Sequence, residues 1–410
     1  MKKIAILVDL ELNQFAGGHV KFWERICNSI KDIHDDFYLE VIFLGKKSVC
    51  LKVGKNIAFR TIKPILSSKF LRPFGVDADV TDLFPFNIKL FFMLRKFDLI
   101  HTTDQLFSMS RTAKYASWLG KIPLTTSLHT DAPAYSEYYV KKIFSNFPKF
   151  LYKFFIDKKK FHKKISKIQI KKFKNYLEHC SYGMINDKLP LKKFNFSKKT
   201  MSKISLLSRG VNKKIFKKKN INRKKLLKKY GIDSKEKIIF FCGRIHELKG
   251  AVFLSKVHNI IKKSGQEVVS IFAGQNFHGE KCMKIGGSRL KLVDHINENE
   301  VSDLYNLCDL FVFPSKFEIG PQVVLEAKSC GAISVVSPEG GGKRIYANGI
   351  DGVIIKEYDP NKWASEIINL LNDKNKLTYM QRMILSDFQP PSWEVVFEDY
   401  FSKKWRKILN

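Results

Sequence analysis

The stretch from Asp309 to Gly342, DLFVFPSKFEIGPQVVLEAKSCGAISVVSPEGGG, limits the possible folds more than any other part of the chain. Leu310-Phe311-Val312-Phe313 is an apolar run stopped by Pro314-Ser315, the pattern of a buried strand. Gln322 to Ser329 follows as a helix with Val323, Val324, Leu325 and Ala327 on its apolar side. A second apolar run, Ile333 to Val336, leads to Pro338 and three glycines. Glu318 lies in the loop and Glu326 in the helix, with seven residues between them. Strand, loop, helix, strand and glycine loop form a unit of a parallel sheet. Such a unit places both acids and a set of backbone N–H groups at the carboxyl edge, where α/β proteins bind ligands.

Similar alternation recurs on both sides of this stretch. In the first half, strands are expected at Ile4–Val8, Phe37–Phe43, Asp98–His101, Pro123–Leu128 and Tyr182–Ile185. Helices fit His19–Ile30, Ile88–Leu94 and Arg111–Leu119. After a short strand at Ile204–Leu207, the second half restarts with a strand at Lys237–Phe241, a polar loop from Cys242 to Gly250 and a helix from Ala251 to Lys263. Another strand, Val268–Ala273, precedes the helix Glu298–Leu307. The expected fold is α/β, with doubly wound parallel sheets in two halves. A terminal helix is expected from Trp393 to Ile408.

The 410 residues can build two or three domains, and 44% of them are hydrophobic. No apolar run approaches the roughly 18 residues of a membrane span. The N-terminal run Ile4 to Val8 is too short for a secretory signal. Seven cysteines are scattered without a Cys-x-x-Cys or Cys/His spacing, so a reduced, cytoplasmic protein without a zinc site is expected. The 73 Lys and Arg against 39 Asp and Glu give +34, which suits an anionic membrane surface, a nucleic acid, or a general lysine bias.

The excess is concentrated between Lys141 and Lys174, where thirteen lysines meet a single acid, Asp157. Phe144, Phe147, Phe150, Tyr152, Phe154, Phe155, Phe161 and Phe173 are interleaved with them. Rings in the headgroup boundary and ammoniums on anionic lipid would make an interfacial membrane helix. Stacking on single-stranded nucleic acid uses the same residue types. A solvated lysine face above a core-facing aromatic stripe is the plainer alternative.

Three other loops carry candidate chemistry. Gly17-Gly18 follows the first strand, either as a plain turn or to let backbone approach a ligand. His129-Thr130-Asp131 follows another strand at the same edge. Arg244 and Lys249, in GRIHELKG, place a guanidinium and an ammonium five positions apart before a helix, an arrangement suited to a diphosphate. No GxxxxGK[ST] motif occurs.

The succession GRIHELKG, FAGQN, DLFVFPSKFEIGPQVVLEA and SPEGGG closely resembles family 4 glycosyltransferases of the GT-B fold. SLLSRGVNKKIF, ending at Phe216, resembles the segment by which that family enters its second domain. AGGHVK and LHTDAPAYSEYY agree more loosely. The resemblance covers essentially the whole chain and is strong over 204–356. It implies two Rossmann-like domains facing a central cleft. The first, 1–205, would take the acceptor and carry the basic aromatic segment 141–174. The second, 206–385, would take the nucleotide-sugar, and a terminal helix, 390–410, would cross back to the first.

The resemblance also implies roles. Arg244 and Lys249 would hold the donor diphosphate, Glu318 would face the sugar, and Glu326 would accept from ribose hydroxyls. Backbone near Gly320, and near Gly17 and Gly18, would approach the diphosphate. His129 would lie near the transferred sugar and the acceptor hydroxyl. Where the family often has Glu-x-Phe-Gly, this chain has Glu318-Ile319-Gly320-Pro321, and Pro321 lacks an N–H. Asp77-Ala78-Asp79 matches DxD and is read as a surface loop, because such transfer rarely needs a metal.

A retaining hexosyltransferase is therefore expected, using a UDP- or GDP-linked sugar and no cofactor or metal. The acceptor side is assigned to His129, Asp131, Lys153, Phe154, Phe155 and Lys158. The leading acceptor is diacylglycerol, at the inner face of the cytoplasmic membrane. A lipopolysaccharide core or a polyprenyl-linked glycan is the alternative acceptor. A nucleic-acid-binding protein is the alternative of another class, and it leaves Glu318 and Glu326 without a task.

Overall fold

The computed structural model describes residues 1–13, 16–76, 79–186, 196–294, 296–316, 318 and 320–410. They form two compact units, one of Met1–Ser208 with Trp393–Asn410 and one of Arg209–Ser392.

In the first unit the strands are β1 (Lys2–Glu11), β2 (Phe37–Leu44), β3 (Val49–Gly54), β4 (Ile57–Ile62), β5 (Leu99–Thr102), β6 (Leu124–Leu128), β7 (Tyr182–Ile185) and β8 (Ile204–Leu206). Their order in the sheet is β3-β4-β2-β1-β5-β6-β7-β8. All the pairs are parallel except β3 with β4. β1 shows why its sequence is a continuous apolar run. Ile4, Ile6 and Val8 pack on one face with Val20, Trp23 and Ile26 of the helix Gly18–Ile30, and with Trp393, Phe397, Phe401 and Trp405 of the terminal helical segment. Ala5 and Leu7 pack on the other face with Leu90, Leu94, Met109 and Ala113. A strand covered on both faces needs apolar residues at every position.

The second unit restarts the pattern with β9 (Lys237–Cys242), β10 (Val268–Ala273), β11 (Leu290–Val293), β12 (Leu310–Phe313), β13 (Ser334–Val336) and β14 (Val353–Ile354). The order β11-β10-β9-β12-β13-β14 is parallel throughout. Its core joins Phe240, Phe241, Phe272, Phe311 and Phe313 to Val252, Leu254 and Val257 of the helix Ala251–Lys263. Strand order reverses between β9 and β12, so their two carboxyl-end loops flank the crevice where doubly wound sheets take ligands.

Two local features differ from the expectation. β3 and β4 form an antiparallel edge hairpin around Lys55-Asn56. Val49 and Leu51 on it are exposed, so the strand has no clean in-out alternation to read. The basic aromatic segment is not one helix. Helix Ala132–Ser145 ends before Pro148, a π turn covers Lys153–Lys158, and Lys160 takes a left-handed backbone before the helix Phe161–His179. No described helix is long and apolar enough to cross a membrane.

Candidate functional site

The loop after β9 is clasped to the loop after β10. Gly243 N donates to Ala273 O at 2.9 Å and Ile245 N to Gln275 O at 2.9 Å, which fixes the backbone on either side of Arg244. His246 stacks on His278 with ring centroids 4.7 Å apart, and its Nδ1 accepts from Leu248 N at 3.1 Å. Gly250 then turns the chain into the next helix at φ +82°, and a Cβ there would strike the Pro314 carbonyl, so glycine is required. This close approach sets Lys249 beside the loop that follows β12.

Lys249 Nζ lies 2.5 Å from Glu318 Oε1, with the two side chains only 17% and 14% exposed. The Ser315 hydroxyl lies 3.0 Å from the same oxygen and 3.2 Å from the Leu248 carbonyl, so its one proton serves two acceptors. Ser337, at the end of β13, donates to Ser315 O at 2.6 Å and accepts from Gly340 N at 2.9 Å. A Cβ on Gly340 would collide with both serines. Three successive strand ends are thus tied into one shelf carrying Arg244, Lys249 and Glu318.

Glu326 sits farther back on the helix Gln322–Ser329 and is 4% exposed. Burial first, and then the nearby Cys242 and Glu326, push the Tyr305 phenol well above its ordinary range. Pro321 occupies the N-cap of this helix with extended backbone, and Gly320 before it is buried. Ile319 lies outside the described residues. Behind the helix, fully buried Lys328 pairs with Asp351 at 2.6 Å and donates to Arg344 O at 2.9 Å. Burial lowers the Lys328 pKa, against the opposing pull of Asp351.

The first unit brings Gly17, Gly18 and His129 together. Gly17 caps the helix Gly18–Ile30, and His19 lies 5.0 Å from the His129 ring, centroid to centroid. His19 Nε2 is 2.5 Å from Thr130 Oγ1. His129 is 6% exposed, one residue beyond β6, with Nε2 2.7 Å from Ser127 Oγ. A Cβ on Gly17 would meet the Asp79 carboxylate at 2.5 Å, whereas Gly18 has open space. Asp79 is half-exposed, and its carboxylate lies against the glycine turn. Asp77 and Ala78 lie outside the described residues. Asp131 has a structural task, because its Oδ1 caps the helix Ala132–Ser145 by accepting from Ala134 N at 3.1 Å.

The aromatic segment divides between two uses. Phe173 and Ile156 are buried, and Phe144, Phe155 and Phe161 form a ring cluster. Phe147, Phe150 and Phe154 are exposed, as are Lys153 and Lys158. Lys159 Nζ stands 5.6 Å from the Phe154 ring centre.

The sequence reading did not assign Ser315, Ser337 or His19 to a site. Each serine directly follows or nearly follows an apolar run at a strand's carboxyl end, and His19 directly follows the glycine pair, so position relative to the strands was the available signal.

Two doubly wound units with a cationic and carboxylate shelf at the strand-order reversal of the second define the class: this is the GT-B fold. Residues 222–384 match the family model described as glycosyl transferases group 1. D-inositol 3-phosphate glycosyltransferase of Segniliparus rotundus is 29% identical over 174 residues, 40% of this chain and 38% of that protein. The alignment thus spans about two fifths of that relative. Among solved structures, HepE of Anabaena in complex with UDP and glucose aligns over 99% of this chain and 100% of its own, with a TM-score of 0.69 and 15% identity. WaaG, a glycosyltransferase involved in lipopolysaccharide biosynthesis, aligns over 99% of both chains with a TM-score of 0.65 and 14% identity.

Proposed function

We propose that this chain is a retaining glycosyltransferase that moves a hexose, of glucose or glucuronate type, from a UDP- or GDP-linked donor to a membrane lipid, with diacylglycerol the leading acceptor. The observation that carries the reading is the Lys249–Glu318 contact on a shelf shared with Arg244, within the region matched to the family. On this reading Arg244 and Lys249 hold the donor diphosphate and offset the charge that grows on it as the sugar leaves. Glu318 exchanges Lys249 for sugar hydroxyls, and Glu326 accepts from the ribose. The bond from the anomeric carbon to phosphate breaks, and a bond to the acceptor oxygen forms on the same face. The acceptor's proton ends on the leaving phosphate. His129 is assigned to the sugar and acceptor side.

The lipid part of the proposal draws support from Phe147, Phe150 and Phe154, exposed beside Lys153 and Lys158 on a strongly basic unit. It implies a peripheral position on the inner face of the cytoplasmic membrane. Vesicle flotation tests it directly: the chain should float with anionic vesicles at low salt and stay behind with neutral ones. Absence of lipid-dependent binding would remove the membrane acceptor. A second reading, transfer to a lipopolysaccharide or polyprenyl-linked glycan, draws on the likeness to WaaG. Product mass from transfer reactions supplied with each acceptor separates the two.

A further inference from the structure

Pro314 follows β12 without an N–H, so its carbonyl is the one backbone hydrogen-bonding group it offers. Pro314 is buried, and a Cβ on Gly250 would collide with its oxygen. The Tyr358 hydroxyl donates to the same oxygen at 3.1 Å. The direction of this bond is fixed, because a carbonyl can only accept. Burial, and then the Glu247 charge, raise the Tyr358 phenol well above its ordinary range, so the hydroxyl keeps its proton. Two residues beyond Pro314, Lys316 Nζ stands 3.9 Å from the centre of the Tyr358 ring. Tyr358 thus touches both backbone and a side chain of the loop that leads to Glu318.

Tyr358 is itself held on either side along the chain. Glu357 O accepts from Trp363 Nε1 at 2.9 Å, and Trp363 is fully buried. Asp359 Oδ2 caps the helix Pro360–Asn372 by accepting from Lys362 N at 2.8 Å. The Tyr358 ring stacks on Phe253 of the helix Ala251–Lys263, with centroids 3.9 Å apart and planes 28° apart. An anchored ring therefore meets a loop that has just left the sheet, and every one of these residues belongs to the second unit.

We propose that Tyr358 is a positioning residue for the donor shelf: by holding the Pro314 carbonyl, it sets where the loop after β12 presents Glu318 to the sugar of the donor. This rests on the reading of Glu318 as the residue that faces that sugar, and it names what keeps Glu318 in place. Tyr358→Phe isolates the role. It keeps the ring for Phe253 and Lys316 and removes the hydrogen bond to Pro314.

The test titrates wild type and Tyr358→Phe with UDP-glucose, UDP-glucuronate and GDP-mannose, and with UDP and GDP alone. Amide hydrogen exchange is followed in the peptide that carries Lys316 and Glu318, since Lys316 N donates to Leu248 O at 3.3 Å. For a nucleotide-sugar that the wild type binds, Tyr358→Phe should weaken binding about fivefold, the scale of one lost hydrogen bond, and leave its free diphosphate within about twofold. Exchange in that peptide should quicken by a similar factor, while Tm falls by no more than about 4 °C. Unchanged exchange, unchanged binding of the nucleotide-sugar, or an equal loss for nucleotide-sugar and free diphosphate overturns the proposal. A wild type that binds none of these ligands removes the donor reading itself, and the proposal with it.

Discussion

Glu318→Gln should make the protein bind nucleoside diphosphate more tightly while abolishing most transfer. Lys249 must leave the Glu318 carboxylate, 2.5 Å away, before it can neutralise a diphosphate. At 17% and 14% exposure the pair lies between a surface ion pair, worth about 0.2–1 kcal/mol, and a buried one, whose disruption costs about 3–5 kcal/mol. An intermediate value of about 1.5 kcal/mol corresponds to a roughly tenfold gain in affinity when Glu318 stops competing. Lys249→Ala removes a charge-assisted bond to phosphate worth about 1.5–3 kcal/mol, part of which the wild type gives up on leaving Glu318, so binding should weaken about tenfold. Turnover should fall by about two orders of magnitude in Glu318→Gln, the scale seen when one preorganised polar contact to a transition state is lost. Calorimetric titration of UDP and GDP into both variants and their double variant measures these changes. A Glu318→Gln protein that binds both diphosphates no more tightly than wild type would refute the exchange of partners at Lys249.

Three further outcomes follow from other parts of the molecule. Replacing Phe150 and Phe154 by Ser and Lys153 and Lys158 by Gln should abolish flotation with anionic vesicles while leaving nucleotide binding unchanged; unaltered flotation would exclude this surface. Asp9 and Asp104 are enclosed at the carboxyl ends of β1 and β5, and burial raises both, Asp9 to about 8 with a further contribution from the Asp104 charge. The folded chain then holds a proton that the unfolded chain releases near pH 4, so the fold should lose stability as pH rises from about 4 to 8. Asp104→Asn should flatten this dependence of Tm, and an equal slope in both proteins would contradict it. Lys328→Met strands Asp351 and should cost about 3 kcal/mol or more, read as a lowered denaturation midpoint, whereas an unchanged midpoint would contradict a supporting role.

The second unit was readable because its signals are local. β12 is a short apolar run stopped by Pro314, and the helices Ala251–Lys263 and Glu298–Leu307 lie where periodicity places them. The β3–β4 hairpin was not readable, because an exposed edge strand such as Val49–Gly54 has no buried face to impose alternation. At the site, residue types could be assigned but not contacts. Lys249 and Glu318 are 69 positions apart, and only the close passage of Gly250 over Pro314 makes them partners. The basic segment showed its composition but not its division, in which Phe173 joins the interior while Phe150 and Phe154 face solvent.

The central claim, that the second unit holds a nucleotide-sugar through Arg244, Lys249, Glu318 and Glu326, is tested most directly by titrating the full chain with UDP-glucose, UDP-glucuronate and GDP-mannose. The account predicts saturable binding of at least one of them, weakened in Lys249→Ala and in Glu326→Ala. Binding of none, or binding indifferent to both substitutions, would contradict it.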